Sequence, residues 1–143
     1  MSIQAILNNK GADVIAIDSD ESVEQALQMM NKKAIGALVV AGDGQTCHGI
    51  FTERDVMRAL AQHGAAALEE SVCEHMTERP QSIALSSGID EAMSIMTQRR
   101  FRHLPVMNGD SLCGIVSIGD LVNYRIQQTE REAEALKEYI ATG

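Results

Sequence analysis

Two short stretches of this chain pair a hydroxyl with a carboxylate one helical turn later: Thr52-x-x-Asp55 and Ser117-x-x-Asp120. Each follows a glycine and an apolar pair, Gly49-Ile50-Phe51 in one case and Gly114-Ile115-Val116 in the other. A hydroxyl at a helix N-cap with an acid three residues on is first of all a capping pair, although Glu or Gln is the usual partner. Recurrence directly after a strand-like run adds a second meaning. A helix N-terminus offers unpaired amides and the positive end of its dipole to an anion. The hydroxyl can bond a phosphate and the carboxylate can accept from a diol, so the pair suits a ribose phosphate.

The elements that must position these residues are themselves duplicated. Val23-Glu24-Gln25-Ala26-Leu27 returns as Ile89-Asp90-Glu91-Ala92-Met93, and Leu38-Val39-Val40 as Leu104-Pro105-Val106. The offset is 66 at Ala26/Ala92 and 65 at Asp55/Asp120, so the second copy has lost one residue. Each copy opens with an apolar lead-in (Ile3-x-x-Ile6-Leu7; Val72-x-x-His75-Met76) and a short strand at Ile15-Ala16-Ile17 or Ile83-Ala84-Leu85. A helix follows, with Val23, Ala26, Leu27 and Met30, or Ile89, Ala92, Met93 and Met96, at i, i+3, i+4 and i+7. Asp20 or Ser22 can cap the first helix, and Ser87 the second. Two strands then flank a turn, at Gly42-Asp43-Gly44 or Asn108-Gly109-Asp110, whose residues tolerate positive φ. Pro105 lacks an amide donor and suits a strand edge or start. The last helix of each copy starts at Thr52 or Ser117, and the second runs almost to Ala141.

The expected fold is α+β: two pseudo-symmetric β-α-β-β-α repeats packed through their sheets, with a C-terminal helical extension. The boundaries are 1–62 for the first repeat, 63–80 for a connector and lead-in, 81–128 for the second repeat and 129–143 for a helical tail. Ala65-Ala66-Ala67-Leu68 reads as helical within the connector. A repeat this small buries its own core poorly, which places twin sites at the seam of the pair. The tail is highly polar around Thr129–Glu134, with Leu136 and Ile140 as candidate dimer contacts.

Composition narrows the function. The 143 residues are 45% hydrophobic with two Phe, two Tyr and no Trp, so Leu, Ile, Val, Met and Ala build the core. A net charge of −8 argues against a sequence-independent grip on nucleic acid or an anionic membrane. No secretory leader and no apolar run of membrane-spanning length is visible, so a cytoplasmic protein is expected. Cys47, Cys73 and Cys113 lack C-x-x-C spacing and read as small buried hydrophobes. Gly42-x-Gly44-x4-Gly49 sits in a hairpin, where a dinucleotide fingerprint needs a strand and then a helix, and no Lys follows Gly49 as a P-loop requires. His48, His63, His75 and His103 are scattered, and His48 and Cys47 face opposite sides of a strand. No catalytic residues, no catalytic cofactor and no dedicated metal site are expected, so the chain does not read as an enzyme.

These residues resemble the CBS domain, named for cystathionine β-synthase, in a tandem pair like that of small stand-alone bacterial proteins. The resemblance rests on the doubled Gly-h-h-Thr/Ser-x-x-Asp motif (h, apolar), the Leu104-Pro105-Val106 strand and the lead-in Val72-Cys73-Glu74-His75-Met76-Thr77. It implies two clefts that bind adenosyl compounds: AMP, ATP, NAD(H) or S-adenosylmethionine. One cleft would combine Thr52, Arg54 and Asp55 with Ile83, Arg102, His103, Leu104 and Pro105. The other would combine Ser117 and Asp120 with Ile15, Ile17, Ala37 and Leu38. In this family the Asp holds ribose hydroxyls and the Thr or Ser holds phosphate. Arg102-His103 aligns with Gly36-Ala37, and Arg54 with Gly119, so phosphorylated ligands are expected to prefer the Thr52/Asp55 cleft. Arg99, Arg100 and Arg102 equally fit a solvated helix end. The resemblance further implies a homodimer and a separate, unknown regulated protein. A non-catalytic interaction module with vestigial clefts stands as the alternative.

Overall fold

The structure, a computed structural model, describes residues 2–10, 14–41 and 47–142. The expected turn at Gly42-Asp43-Gly44 and the side chain of Cys47 lie outside the described residues. Helix α1 (Ile3–Lys10) leads into strand β1 (Ala16–Asp18), helix α2 (Val23–Lys33), strands β2 (Ala37–Ala41) and β3 (Cys47–Thr52), and helix α3 (Glu53–His63). After a connector come β4 (Thr77–Glu78), β5 (Ile83–Ala84), α4 (Ile89–Arg99), β6 (His103–Asn108), β7 (Ser111–Ser117) and the long α5 (Ile118–Thr142). Two small mixed sheets result, ordered β1-β2-β3-β4 and β5-β6-β7. In each, the first pair is parallel around a helix and the second is an antiparallel hairpin.

Local sequence explains most of this. On α2 the 3.6-residue period buries Val23, Ala26 and Met30. Ser22 caps it: its hydroxyl accepts from the Gln25 amide at 3.1 Å while Gln25 Oε1 accepts from the Ser22 amide at 2.9 Å. The matching α4 buries Ile89, Ala92 and Met96, but Gly88, not Ser87, is its N-cap and supplies no side-chain bond. Ser87 is engaged elsewhere, its carbonyl accepting from the Ile3 amide at 3.0 Å. Both helices end on a non-glycine residue in the left-handed region, Ala34 (φ 55°) and Arg100 (φ 58°), at equivalent positions of the two copies.

Pro105 lies within β6, the central strand of its sheet, rather than at an edge. Two-residue β5 reaches only Val106 and Met107, so beside Pro105 the sheet is locally two-stranded. The connector forms two 3-10 helices, Gly64–Glu69 and Val72–Glu74, the first of which covers the Ala65-Ala66-Ala67-Leu68 run expected to be helical. Cys73 is exposed and Cys113 half-buried, so neither is the fully buried hydrophobe that was anticipated.

The lead-ins change places. Ile3, Ile6 and Leu7 of α1 join the core of Ile83, Ile89, Leu104, Val106 and Val116, which belongs to the second copy. Val72, ahead of the second copy, joins the first copy's core of Ile17, Val23, Leu38, Val40 and Phe51, and β4 extends the first sheet. A short bridge ties down each exchange, Ser2 to Gly88 and Ser71 to Ser22.

Candidate functional site

The Thr/Ser-x-x-Asp pairs sit where strand becomes helix. Thr52 ends β3 and is the N-cap of α3; Ser117 ends β7 immediately before α5. The first residue of each helix donates its amide to the segment ahead of the central strand, Glu53 to the Gly36 carbonyl (3.2 Å) and Ile118 to the Arg102 carbonyl (2.9 Å). Asp120, half-buried, accepts from the Ser117 amide at 2.8 Å, and the Ser117 hydroxyl accepts from the Asp120 amide at 3.1 Å.

Asp55 is buried more deeply. It is 1% exposed. Its Oδ2 accepts from the Thr52 amide (2.9 Å) and hydroxyl (3.3 Å), and its Oδ1 from Arg58 (3.0 Å) and the Thr77 hydroxyl (3.3 Å). Those bonds engage both lone-pair sites of each oxygen. Thr77 arrives because Gly49 lets β4 pass close: a Cβ there would stand 2.5 Å from the Thr77 carbonyl oxygen. The equivalent Gly114 faces Leu7 of α1, at 3.0 Å.

Two clefts open at these helix starts. The first, an open cleft of about 790 Å³, is lined by Thr52, Arg54, Asp55, Arg102 and His103, as expected from sequence. It also takes in Arg58, Thr77, Pro80, Gln81 and the run Arg99-Arg100-Phe101, which the sequence reading did not assign to it. Five arginines thus surround one cleft. Arg54 ties its two sides together by donating to the Arg100 carbonyl at 2.9 Å. The left-handed turn at Arg100 carries Arg99, Arg100 and Phe101 off the end of α4 to the rim.

The second cleft, about 720 Å³, is lined by Ser117 and Asp120 with Ile15 and Ala37, as expected, and further by Val14, Ala34, Ile35, Gly36 and Ile115. Among the described residues, no arginine or lysine lines it. His103 lines both clefts, so it is a shared wall rather than a feature of the first alone. Gly36 is shared too, and a Cβ there would lie 3.4 Å from His103 Cε1.

The remaining expected residues are not brought to these walls. Ile17 and Leu38 are buried in the first core, and Ile83 and Leu104 in the second. Pro105 is also buried and does not line the cleft. Each lies on a strand of its sheet with the side chain excluded from solvent, so only backbone from these positions could reach an occupant.

The fold and its doubled helix-start motif define a tandem CBS pair, and the CBS-domain family model matches residues 8–62 and 71–127. The chain therefore belongs to the CBS-domain family, with both copies present. It is similar to the mitochondrial CBS domain-containing protein CBSX3 of Arabidopsis thaliana, 32% identical over 99% of this chain and 73% of that protein. It is also similar to the crystal structure of a CBS-domain protein from Agrobacterium tumefaciens, 41% identical with a TM-score of 0.85, covering 87% of this chain and 99% of that one. A CBS domain protein from Pyrobaculum aerophilum, solved with AMP, shares the fold at 20% identity and a TM-score of 0.74, over 84% of this chain and 89% of that one. Among the described residues no helix is long and apolar enough to cross a membrane.

Proposed function

We propose that this protein is a non-catalytic regulatory module that binds an adenine nucleotide, with AMP as the first ligand, in the Thr52/Asp55 cleft. The observation that carries this reading is the ring of Arg54, Arg58, Arg99, Arg100 and Arg102 around a helix start that already presents a hydroxyl and a carboxylate. Guanidinium groups pair bidentately with phosphate, and the helix dipole adds to them. A cationic rim of this kind favours AMP or ATP over the sulfonium compound S-adenosylmethionine. The AMP complex of a protein with the same fold supports the assignment. The nucleotide would act on a separate partner protein through its differential affinity for two arrangements of the pair. Leu136, Tyr139 and Ile140, at least 60% exposed on α5, fit a contact between two copies of the chain.

Ligand entry requires a rearrangement. With Asp55 bonded to four protein donors, ribose hydroxyls must displace Thr77 or Arg58. That same saturation favours the second reading, an interaction module in which Asp55 only caps α3. Calorimetric titration of AMP into nucleotide-stripped protein separates them. Saturable binding that is lost in Asp55→Ala establishes the nucleotide module. The absence of heat with both AMP and ATP at millimolar concentration leaves the interaction module.

A further inference from the structure

Away from both clefts, the connector brings together three groups that lie 5 to 12 positions apart in sequence: His63, Glu70 and His75. We propose that they form a binding site for a divalent transition-metal ion of the zinc type, which fastens the end of α3 to the connector. His63 Nδ1 lies 2.8 Å from Glu70 Oε1, His75 Nε2 lies 3.1 Å from the same oxygen, and all three atoms fall within 4.8 Å of one another. Two imidazoles and a carboxylate are a zinc-type donor set, with metal bonds of roughly 2.0–2.2 Å that place tetrahedral ligands about 3.4 Å apart. Opening the two Glu70 contacts slightly and setting the two ring nitrogens at that same separation would admit the ion.

The backbone prepares the site. His63 is the last residue of α3, and Gly64 at φ 66° turns the chain away directly after it. The Glu70 carbonyl accepts from the Val23 amide at 2.9 Å, and the His75 amide donates to the Val72 carbonyl at 3.0 Å, so two ligands sit on anchored segments. Exposure is graded: the side chains of His75, Glu70 and His63 are 7%, 30% and 48% exposed. One ligand is thus buried and one side faces water, which leaves a position for a solvent ligand. In the metal-free cluster the hydrogen bond from His63, with a smaller contribution from His75, holds the Glu70 carboxyl below its ordinary range against the opposing effect of desolvation. The two rings meet edge to face with centroids 5.4 Å apart, and both direct a nitrogen at the carboxylate.

The competing description is a metal-free His–Glu–His hydrogen-bond cluster, and metal titration of the full chain after chelator treatment decides between them. Zn²⁺ is expected to bind at one ion per chain and to raise Tm by several degrees once in hundredfold excess over Kd. His63→Asn, at the exposed ligand where folding is least at risk, and Glu70→Gln are each expected to weaken binding by at least about tenfold. Co²⁺ is expected to show visible bands of a nitrogen- and oxygen-ligated ion without a thiolate charge-transfer band. Unsaturable binding, affinity unchanged in His63→Asn, or a thiolate band pointing to the cysteines would each overturn the proposal. None of these readouts depends on nucleotide.

Discussion

The two clefts are built by the same motif on equivalent elements, yet they differ in charge and in how deeply their aspartates are buried. The first is ringed by arginines, and its Asp55 is fully buried and bonded to Arg58 and Thr77. In the second, at positions equivalent to Arg100, Phe101, Arg102 and His103, stand Ala34, Ile35, Gly36 and Ala37, and Asp120 is half-buried. Duplication supplies the frame, and a few side chains at one left-handed turn make the two linings differ. The difference teaches that the motif alone marks a place, while the α4–β6 segment gives that place its charge.

The largest expected effect strikes the frame beneath the first cleft. Gly49→Ala drives a Cβ to 2.5 Å from a backbone carbonyl, whereas Gly114→Ala meets only the flexible end of Leu7 at 3.0 Å. Urea unfolding is expected to show losses of about 3 and about 1 kcal/mol respectively. Equal losses would mean that β4 docks no more tightly than α1. Next comes the aspartate pair. Asp55→Ala is expected to cost about 2 kcal/mol and Asp120→Ala about 1 kcal/mol, since Asp55 is the more deeply buried of the two. Only the first should abolish the calorimetric signal for AMP, and equal loss in both would erase the asymmetry.

Smaller again is Arg102→Ala. Removing one charge-assisted phosphate bond is expected to weaken AMP about tenfold while leaving adenosine affinity unchanged. A parallel loss for adenosine would recast Arg102 as a packing residue. Last is Gly36→Ala, whose Cβ would stand 3.3 Å from Glu53 Cδ and 3.4 Å from His103 Cε1. Its cost in stability should stay within about 0.5 kcal/mol. Because Gly36 borders both clefts, a thermal-shift titration should register it with ligands of either one.

What was legible in the sequence was whatever local periodicity and repetition encode. Helices α2 and α4 followed from their apolar spacing, the starts of α3 and α5 from the hydroxyl-acid pairs, and the pairing of strands from the two turn signals. The eight-residue α1 was read only as an apolar lead-in, because its apolar residues find their partners in the other copy, a contact no local pattern contains. Two-residue β4 is too short to announce itself. Arg99, Arg100 and Phe101 reach the first cleft through a left-handed residue that is not glycine, and nothing in an arginine foretells that backbone. Ile17, Leu38, Ile83 and Leu104 were assigned to the clefts by resemblance, while burial turned their side chains into the two cores. Likewise the alanine run reads as helical, but nothing local shows that its 3-10 course brings His63 and His75 together.

The exchange of lead-ins carries a consequence for how the molecule comes into being. The second copy cannot complete its core without α1 from the far end of the chain, and the first needs Val72 of the connector. The pair is therefore expected to fold as one cooperative unit despite its duplicated sequence, because the contacts that close each core are distant along the chain. Severed in the connector ahead of Val72, the two pieces are expected to be unfolded apart and to recover structure on mixing, as complementing fragments of one protein rather than as two domains.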